Sequence, residues 1–375
     1  MKPPYSVPSM AEIAALPWNG MSVVSTFAGC GGSSTGYRMA GFRVLWANEC
    51  NGNAQACYRA NAAPYTAIDG RSITDVKGEE VLARIGMEPG RLDVFDGSPP
   101  CQTFSTAGKR NMQDDRSDLF FEYIRLLREL QPRCFVAENV SGMVKGVAKG
   151  QFKRVLAELK ASGYCVVVKL LDAQWLGVPQ SRQRLIFQGV REDLAVDPAW
   201  PKPLPYRYSV RDALPWISSA SNDSKGMEGV NIVDCRREPL PVVRAGGGGH
   251  QTGWRVEAET DISRYAIGDE WDKLAPGEHS DRFFSLQKPH LDKPCPSVTQ
   301  LAGSPSVAGV CHPTERRKFS IAELRRICGF PDDFGLVGSY VEQWARLGNA
   351  VPPVMMATVA RCVAGNLLAL ETAVP

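Results

Sequence analysis

SVVSTFAGCGGSSTGYRMAGFRVLWANE occupies residues 22–49. Its first six residues are apolar and β-branched enough to read as a short buried strand. Glycines follow at 29, 31 and 32, then a helix-compatible stretch runs through Met39, and 43–49 reads as a second strand. A strand, a glycine turn, a helix and another strand make the repeating unit of a parallel sheet with crossover helices. The unit recurs downstream. LDVFD (92–96) reads as a strand. In DLFFEYIRLLRELQ, Leu119, Phe120, Tyr123, Ile124, Leu127 and Leu130 share one helical face, and Pro132 stops the helix. CFVAENV (134–140) is a strand, 152–163 a helix closed by Gly163, and 164–172 and 184–190 two further strands. This alternation predicts a doubly wound α/β domain.

Composition agrees with a globular enzyme-sized chain. Of 375 residues, 44% are hydrophobic and 22% charged, ordinary values for a soluble protein. No apolar run approaches the roughly 20 residues of a membrane span. The first twenty residues lack the basic start and apolar core of a secretion signal, so a cytoplasmic protein with an N-terminal extension (1–20) is expected. The chain has 11 cysteines and no Cys-x-x-Cys, which points to reduced free thiols and no metal site. The net charge of +3 decides little. Basic clusters at 180–184, 207–211, 236–237 and 316–318 permit a polyanionic partner.

After Glu192 prolines cluster, and glycine-rich polar stretches follow. The organisation expected is a first domain at 21–194 and a loop-rich second domain at 195–335. A helical C-terminal segment, 336–375, would dock back on the first domain.

Ligands of a doubly wound sheet bind beyond the carboxyl ends of its strands, and the polar punctuation falls there. In FAGCGG (27–32), Gly29 and Gly31 begin a dinucleotide fingerprint, but Ser34 stands where its third glycine belongs. A nucleoside cofactor without phosphates fits better, with Phe27 offering a flat face and Glu49 a carboxylate for ribose hydroxyls. In GSPPCQTFS (97–105), two prolines stiffen the approach to Cys101. A thiol that must meet a substrate atom at a fixed distance needs that stiffness. The chain has 4 histidines, all beyond the first domain, which disfavours a Cys–His dyad. The group that topology brings near Cys101 is the carboxyl of Glu138. A thiolate and an acid together suit addition to a conjugated ring. Arg182 and Arg184, at i and i+2 of an extended segment, share a face that could hold a ring carbonyl or a phosphate.

These stretches, in this order, resemble the DNA (cytosine-5)-methyltransferases from end to end. FAGCGG is similar to that family's cofactor loop and GSPPCQTFS to its nucleophile loop. ENV (138–140) is similar to the acid motif, QSRQR (180–184) to the paired-arginine motif and GNAVPP (348–353) to the closing motif. The resemblance implies a Rossmann-like, S-adenosylmethionine-dependent methyltransferase domain with a smaller target-recognition domain, acting on double-stranded DNA as a monomer. It implies that Cys101 attacks position 6 of a flipped cytosine and that Glu138 binds the ring at position 3. Position 5 then takes the methyl group, and Arg184 with Arg182 holds the ring carbonyl. Phe27, Ala28, Gly29, Gly31, Gly32, Glu49, Pro100, Leu119, Asn349 and Val351 would line the cofactor pocket. Asp69, chosen over Asp75, would meet the adenine amino group. An amino-methyltransferase also has a Ser-Pro-Pro loop, but an aromatic residue follows; here Cys101 follows. The resemblance further implies a role in restriction–modification or epigenetic marking.

Overall fold

A computed structural model describes residues 2–100, 119–144, 146, 148–217 and 260–372. Seven strands make one sheet: β1 (Ser22–Thr26), β2 (Arg43–Asn48), β3 (Ala67–Asp69), β4 (Val94–Gly97), β5 (Cys134–Val140), β6 (Tyr164–Asp172) and β7 (Gln183–Arg191). Their order is β3-β2-β1-β4-β5-β7-β6. The helices are α1 (Met10–Ala15), α2 (Gly32–Met39), α3 (Gly52–Asn61), α4 (Gly78–Ile85), α5 (Leu119–Leu130), α6 (Ala148–Ala161), α7 (Val210–Ala213), α8 (Ala266–Trp271), α9 (Ile321–Ile327), α10 (Tyr340–Asn349) and α11 (Pro353–Thr372).

The doubly wound α/β expectation holds, with one correction to the wholly parallel sheet. β1 to β5 run parallel, but β7 pairs antiparallel with both β5 and β6. Between β6 and β7 the chain has only a short connection with a 3₁₀ turn at Ala173–Trp175. Without a crossover helix, neighbouring strands must return antiparallel.

Strand alternation sorts side chains onto two buried faces. Val24, Phe95, Phe135 and Phe187 face α4, α5 and α6 through Leu82, Leu127 and Val155. Val23, Val94, Val136 and Ile186 face the other side, where Tyr37 of α2 and Met355, Val359 and Val363 of α11 cover them. The sequence reading expected no membrane-length apolar run, yet residues 340–370 are long and apolar enough by composition alone. The fully buried Met355, Val359 and Val363 of α11 show why: this is a core helix.

In the second lobe, the described residues of the expected second domain (195–335), α7, α8 and α9 lie among loops. Its main core joins Leu324, Ile327, Phe330 and Phe334 to Trp344 and Leu347 of α10, and to Cys30 and Cys57 of the first lobe. The N-terminal segment straps the lobes together. Lys2 pairs with Asp212 at 2.7 Å, the Tyr5 hydroxyl donates to the Arg326 carbonyl at 2.7 Å, and Ile13 packs with Met39 and Ala357.

Candidate active site

β1, β2, β4 and β5 deliver their carboxyl ends to one edge, and each brings a different kind of group. After β1, Phe27 takes a φ of 50°, a left-handed conformation that is unusual for a bulky side chain and clusters at functional sites. It packs on the same hydrophobic cluster as Leu119, the first residue of α5. The Ala28 amide donates to the Asn48 carbonyl at 3.0 Å. Gly31 caps α2 with a φ of 97°, which only glycine adopts cheaply. A Cβ on Gly32 would collide with the Val351 carbonyl. Glycine there lets the loop at 27–32 lie against the GNAVPP stretch, far away in sequence.

Glu49 follows β2. Its carboxylate accepts from the Gly29 amide at 2.9 Å and the Asn51 amide at 2.7 Å. Those bonds aim a half-buried acid across the loop's backbone. Val351 is buried beside the loop, whereas Asn349, at the end of α10, is exposed.

Asp69 ends β3, and Arg71 grips its carboxylate through Nε at 3.1 Å and Nη2 at 2.7 Å. The Arg71 hydrogen bonds hold this carboxyl below its ordinary value. Asp69, Trp46, Arg71, Glu80 and Arg84 line a cavity beside β3 of about 330 Å³. The carboxylate expected to meet an amino group is thus already committed to a guanidinium. The alternative, Asp75, lies in the 3₁₀ turn Ile73–Asp75 and accepts a long bond of 3.4 Å from Thr74.

Cys101 lies outside the described residues, as do Arg236 and Arg237. The approach to it is described through Pro100 and is held at two points. The Ser98 amide donates to the Thr26 carbonyl at 3.3 Å. Asn139 Nδ2 donates to the Pro99 carbonyl at 3.1 Å. Sequence reasoning noted Asn139 beside Glu138 without giving it a task. The parallel β4–β5 register supplies the reason, since Gly97 stands opposite Ala137 and the chain beyond Gly97 therefore runs beside Asn139.

Glu138, 8% exposed, pairs with Arg184 Nε at 2.6 Å. The two face each other across the β5–β7 ladder, where Val140 is opposite Arg184 and Glu138 opposite Ile186. Arg184 also donates to the Gln183 carbonyl at 2.8 Å.

Arg182 departs from the expectation that it shares Arg184's task. It is 1% exposed. Its Nη1 donates to the Val298 carbonyl at 3.0 Å, and Nη2 to the Gly348 and Ala350 carbonyls at 2.7 and 3.0 Å. Burial, reinforced by the neighbouring Arg184 charge, pushes Arg182 down to about 9, so it stays a cation at neutral pH. With both terminal nitrogens spent on backbone, Arg182 ties the second lobe and the GNAVPP stretch to the start of β7. It acts as a strut.

A sequence profile described as "C-5 cytosine-specific DNA methylase" matches residues 21–364. The chain is 32% identical over 334 residues to the type II methyltransferase M.Sau96I of Staphylococcus aureus, covering 88% of this chain and 73% of that one. It is 31% identical over 371 residues to the type II methyltransferase M.XorII of Xanthomonas oryzae, covering 92% and 84%. Among solved structures, a prophage-encoded E. coli chain described as a candidate DNA modification methyltransferase superposes with a TM-score of 0.67. That match has 22% identity over 94% of this chain and 100% of that one. A Spodoptera frugiperda DNMT2 variant gives 0.62 at 17% identity, over 92% and 99%.

Proposed function

The chain belongs to the C-5 cytosine-specific DNA methylases, and from that premise we propose how its own residues carry out methylation of cytosine in DNA. The enzyme is a DNA (cytosine-5-)-methyltransferase. We assign S-adenosylmethionine as the methyl donor, and a cytosine flipped out of a specific double-stranded sequence as the acceptor.

The residues of the first lobe suit such a donor. Gly31 and Gly32 leave backbone bare where a Cβ would meet Tyr58 or Val351, Phe27 offers a ring, and Glu49 offers an anchored carboxylate. No third glycine builds a phosphate cradle. Phe27, Glu49, Leu119 and Val351 would hold the nucleoside. Bound there, S-adenosylmethionine supplies an electrophilic methyl group.

Cys101 would add as a thiolate to carbon 6 of the ring, leaving carbon 5 nucleophilic. Glu138 would hold the ring at nitrogen 3 and its amino group, and manage the proton there as charge develops. Arg184 keeps that carboxylate oriented. After carbon 5 is methylated it loses its proton, and the thiolate leaves. The observation that carries this reading is the Arg184–Glu138 pair at the same sheet edge as the Pro99–Asn139 clamp. The type II relatives make a restriction–modification role our reading for the cell.

DNA carrying 5-fluorocytosine at the target tests the covalent step, because fluorine cannot leave as a proton and the thiolate cannot be expelled. A denaturing gel should show a protein–DNA adduct with the intact enzyme and donor, and none with Cys101→Ala. Base flipping costs a few kcal/mol, less at a mismatch, so Cys101→Ala should still bind DNA, and a mismatched target more tightly than a paired one. An adduct that survives Cys101→Ala would sink the assignment.

A further inference from the structure

Asp96 takes no part in the chemistry above, yet the chain keeps an acid there at 2% exposure. Burying a carboxylate is costly unless hydrogen bonds and charge compensate it, and an apolar residue would fill the place at less cost. The contacts show what the acid achieves. One oxygen, Oδ2, accepts from the Ser25 hydroxyl at 2.8 Å and from the Ser33 hydroxyl at 2.8 Å. Ser25 lies in β1, directly opposite Asp96 in the ladder. Ser33 lies in the first turn of α2. The two serines therefore flank the loop at 27–32, and a single oxygen atom receives both its ends.

The backbone of Asp96 completes the arrangement. Its carbonyl accepts from the Thr26 hydroxyl at 3.2 Å. One residue later β4 ends at Gly97, and Ser98, Pro99 and Pro100 lead to Cys101. The carboxylate also lies under the first turn of α2, where the helix dipole favours a negative charge.

We propose that Asp96 is a positioning residue, a clasp that closes both ends of the loop at 27–32 onto the strand end from which the Cys101 loop departs. The proposal rests on the reading that the first loop takes the methyl donor and the second carries the nucleophile. Its consequence is that the loop at 27–32 and the end of β4 keep a fixed distance through one side chain, whatever DNA is bound.

The surroundings of the clasp give it a signature. Ser25 and Thr26 face Asp96 from β1, Ser33 and Tyr37 from α2, and Glu138 from β5; the hydroxyls of Tyr58 and Tyr123 feel its charge from α3 and α5. Burial raises its carboxyl from 3.8 to about 7, the serine hydrogen bonds and the nearby Tyr37 hydroxyl oppose that rise, and the Glu138 charge adds to it. A carboxyl raised on folding contributes stability that is complete below its unfolded value. That contribution is lost as pH climbs through about 7. Asp96→Asn stays neutral and keeps an oxygen for both serines. The stability difference between Asn variant and wild type should therefore open in the variant's favour as pH rises across that window. A residue that merely filled space would show no such window.

Three measurements on the protein free of DNA decide the matter. Amide hydrogen exchange at residues 28–35 should quicken about tenfold in Asp96→Ala, the scale of a lost charged hydrogen bond, and stay near wild type in Asp96→Asn. Calorimetric titration with S-adenosylmethionine should show affinity about tenfold weaker in Asp96→Ala and within about twofold in Asp96→Asn. Urea unfolding between pH 4 and 8 should show the opening gap described above. If Asp96→Ala does not fold, Ser33→Ala removes one arm of the clasp and should give the same changes at about threefold. Unchanged exchange at 28–35 in folded Asp96→Ala or Ser33→Ala overturns the clasp. A wild-type protein that binds no S-adenosylmethionine defeats the donor reading instead, and the exchange arm still decides the clasp.

Discussion

Arg184–Glu138 in the sheet lobe and Arg317–Glu323 in the second lobe are both buried arginine–glutamate pairs, and they are built differently. Glu323 has both oxygens occupied by Arg317, at 2.8 Å each. It also accepts the Ser320 amide at 2.7 Å in the capping box of α9, and His312 Nε2 lies 3.5 Å away. Burial would raise this carboxyl, but the Arg317 hydrogen bonds, with the His312 ring beside them, outweigh it and hold Glu323 well below the usual carboxylate range. Among the described residues Glu138 makes one short contact, to Arg184. A carboxylate whose lone pairs are all used can only hold structure; one with lone pairs left over can take a substrate atom or a proton. The difference separates scaffold from site where residue types and burial do not.

Breaking the closed pair should have the largest effect. Glu323→Gln takes from Arg317 its buried charge partner and leaves it only the half-exposed Glu315 at 2.7 Å. Breaking a buried pair costs about 3 kcal/mol or more, and the loss should show as a lower urea midpoint at neutral pH. Because the Glu323 carboxyl is depressed on folding, its contribution is present above the unfolded value of 4.5 and is lost as pH falls below it. The gap between wild type and Glu323→Gln should therefore close in acid. A variant as stable as wild type at pH 7 would erase the distinction between the two pairs.

Opening the other pair should cost rate instead. Glu138→Gln keeps shape but removes the titratable proton, and methylation should fall about 10²-fold or more. S-adenosylmethionine affinity should barely move, and the urea midpoint should fall less than in Glu323→Gln. If rate held and stability fell, Glu138 would belong with Glu323 as structure.

Arg182 tests the boundary between the two cases with the smallest effect. Arg182→Met leaves the carbonyls of Val298, Gly348 and Ala350 without their donor, at about 1–3 kcal/mol. The loss should appear in stability and in the donor's KM, since Val351 follows directly, with kcat less affected. A fall confined to kcat would return Arg182 to the chemistry.

How much of this was legible in the sequence varied with how local the cause was. β5 at Cys134–Val140 is an unbroken apolar run with its acid near the end, and its bounds agree with the sequence reading. α5 shows its stripe because Phe120, Tyr123, Ile124, Leu127 and Leu130 all point into one core. α3 went unread, since only Ala54, Cys57 and Tyr58 of its ten residues are buried, and β3, three residues long, is too short for a period. The edge at which β1, β2, β4 and β5 end was legible too, because strand–turn–helix alternation dictates which ends carry the loops.

Residue types and local periodicity were enough for the doubly wound architecture, the family, and a stiffened cysteine followed in the chain by an acid. These depend on neighbours a few positions apart. Which buried charges are closed and which stay open depended on groups remote in sequence. Arg182 finds its carbonyls 116, 166 and 168 residues away, and Asp96 finds Ser25 and Ser33 at 71 and 63. The face shared by Arg182 and Arg184 was readable from their spacing; what stood opposite each was not. A guanidinium's task is set by the nearest acceptor in space, and only packing brings that acceptor near.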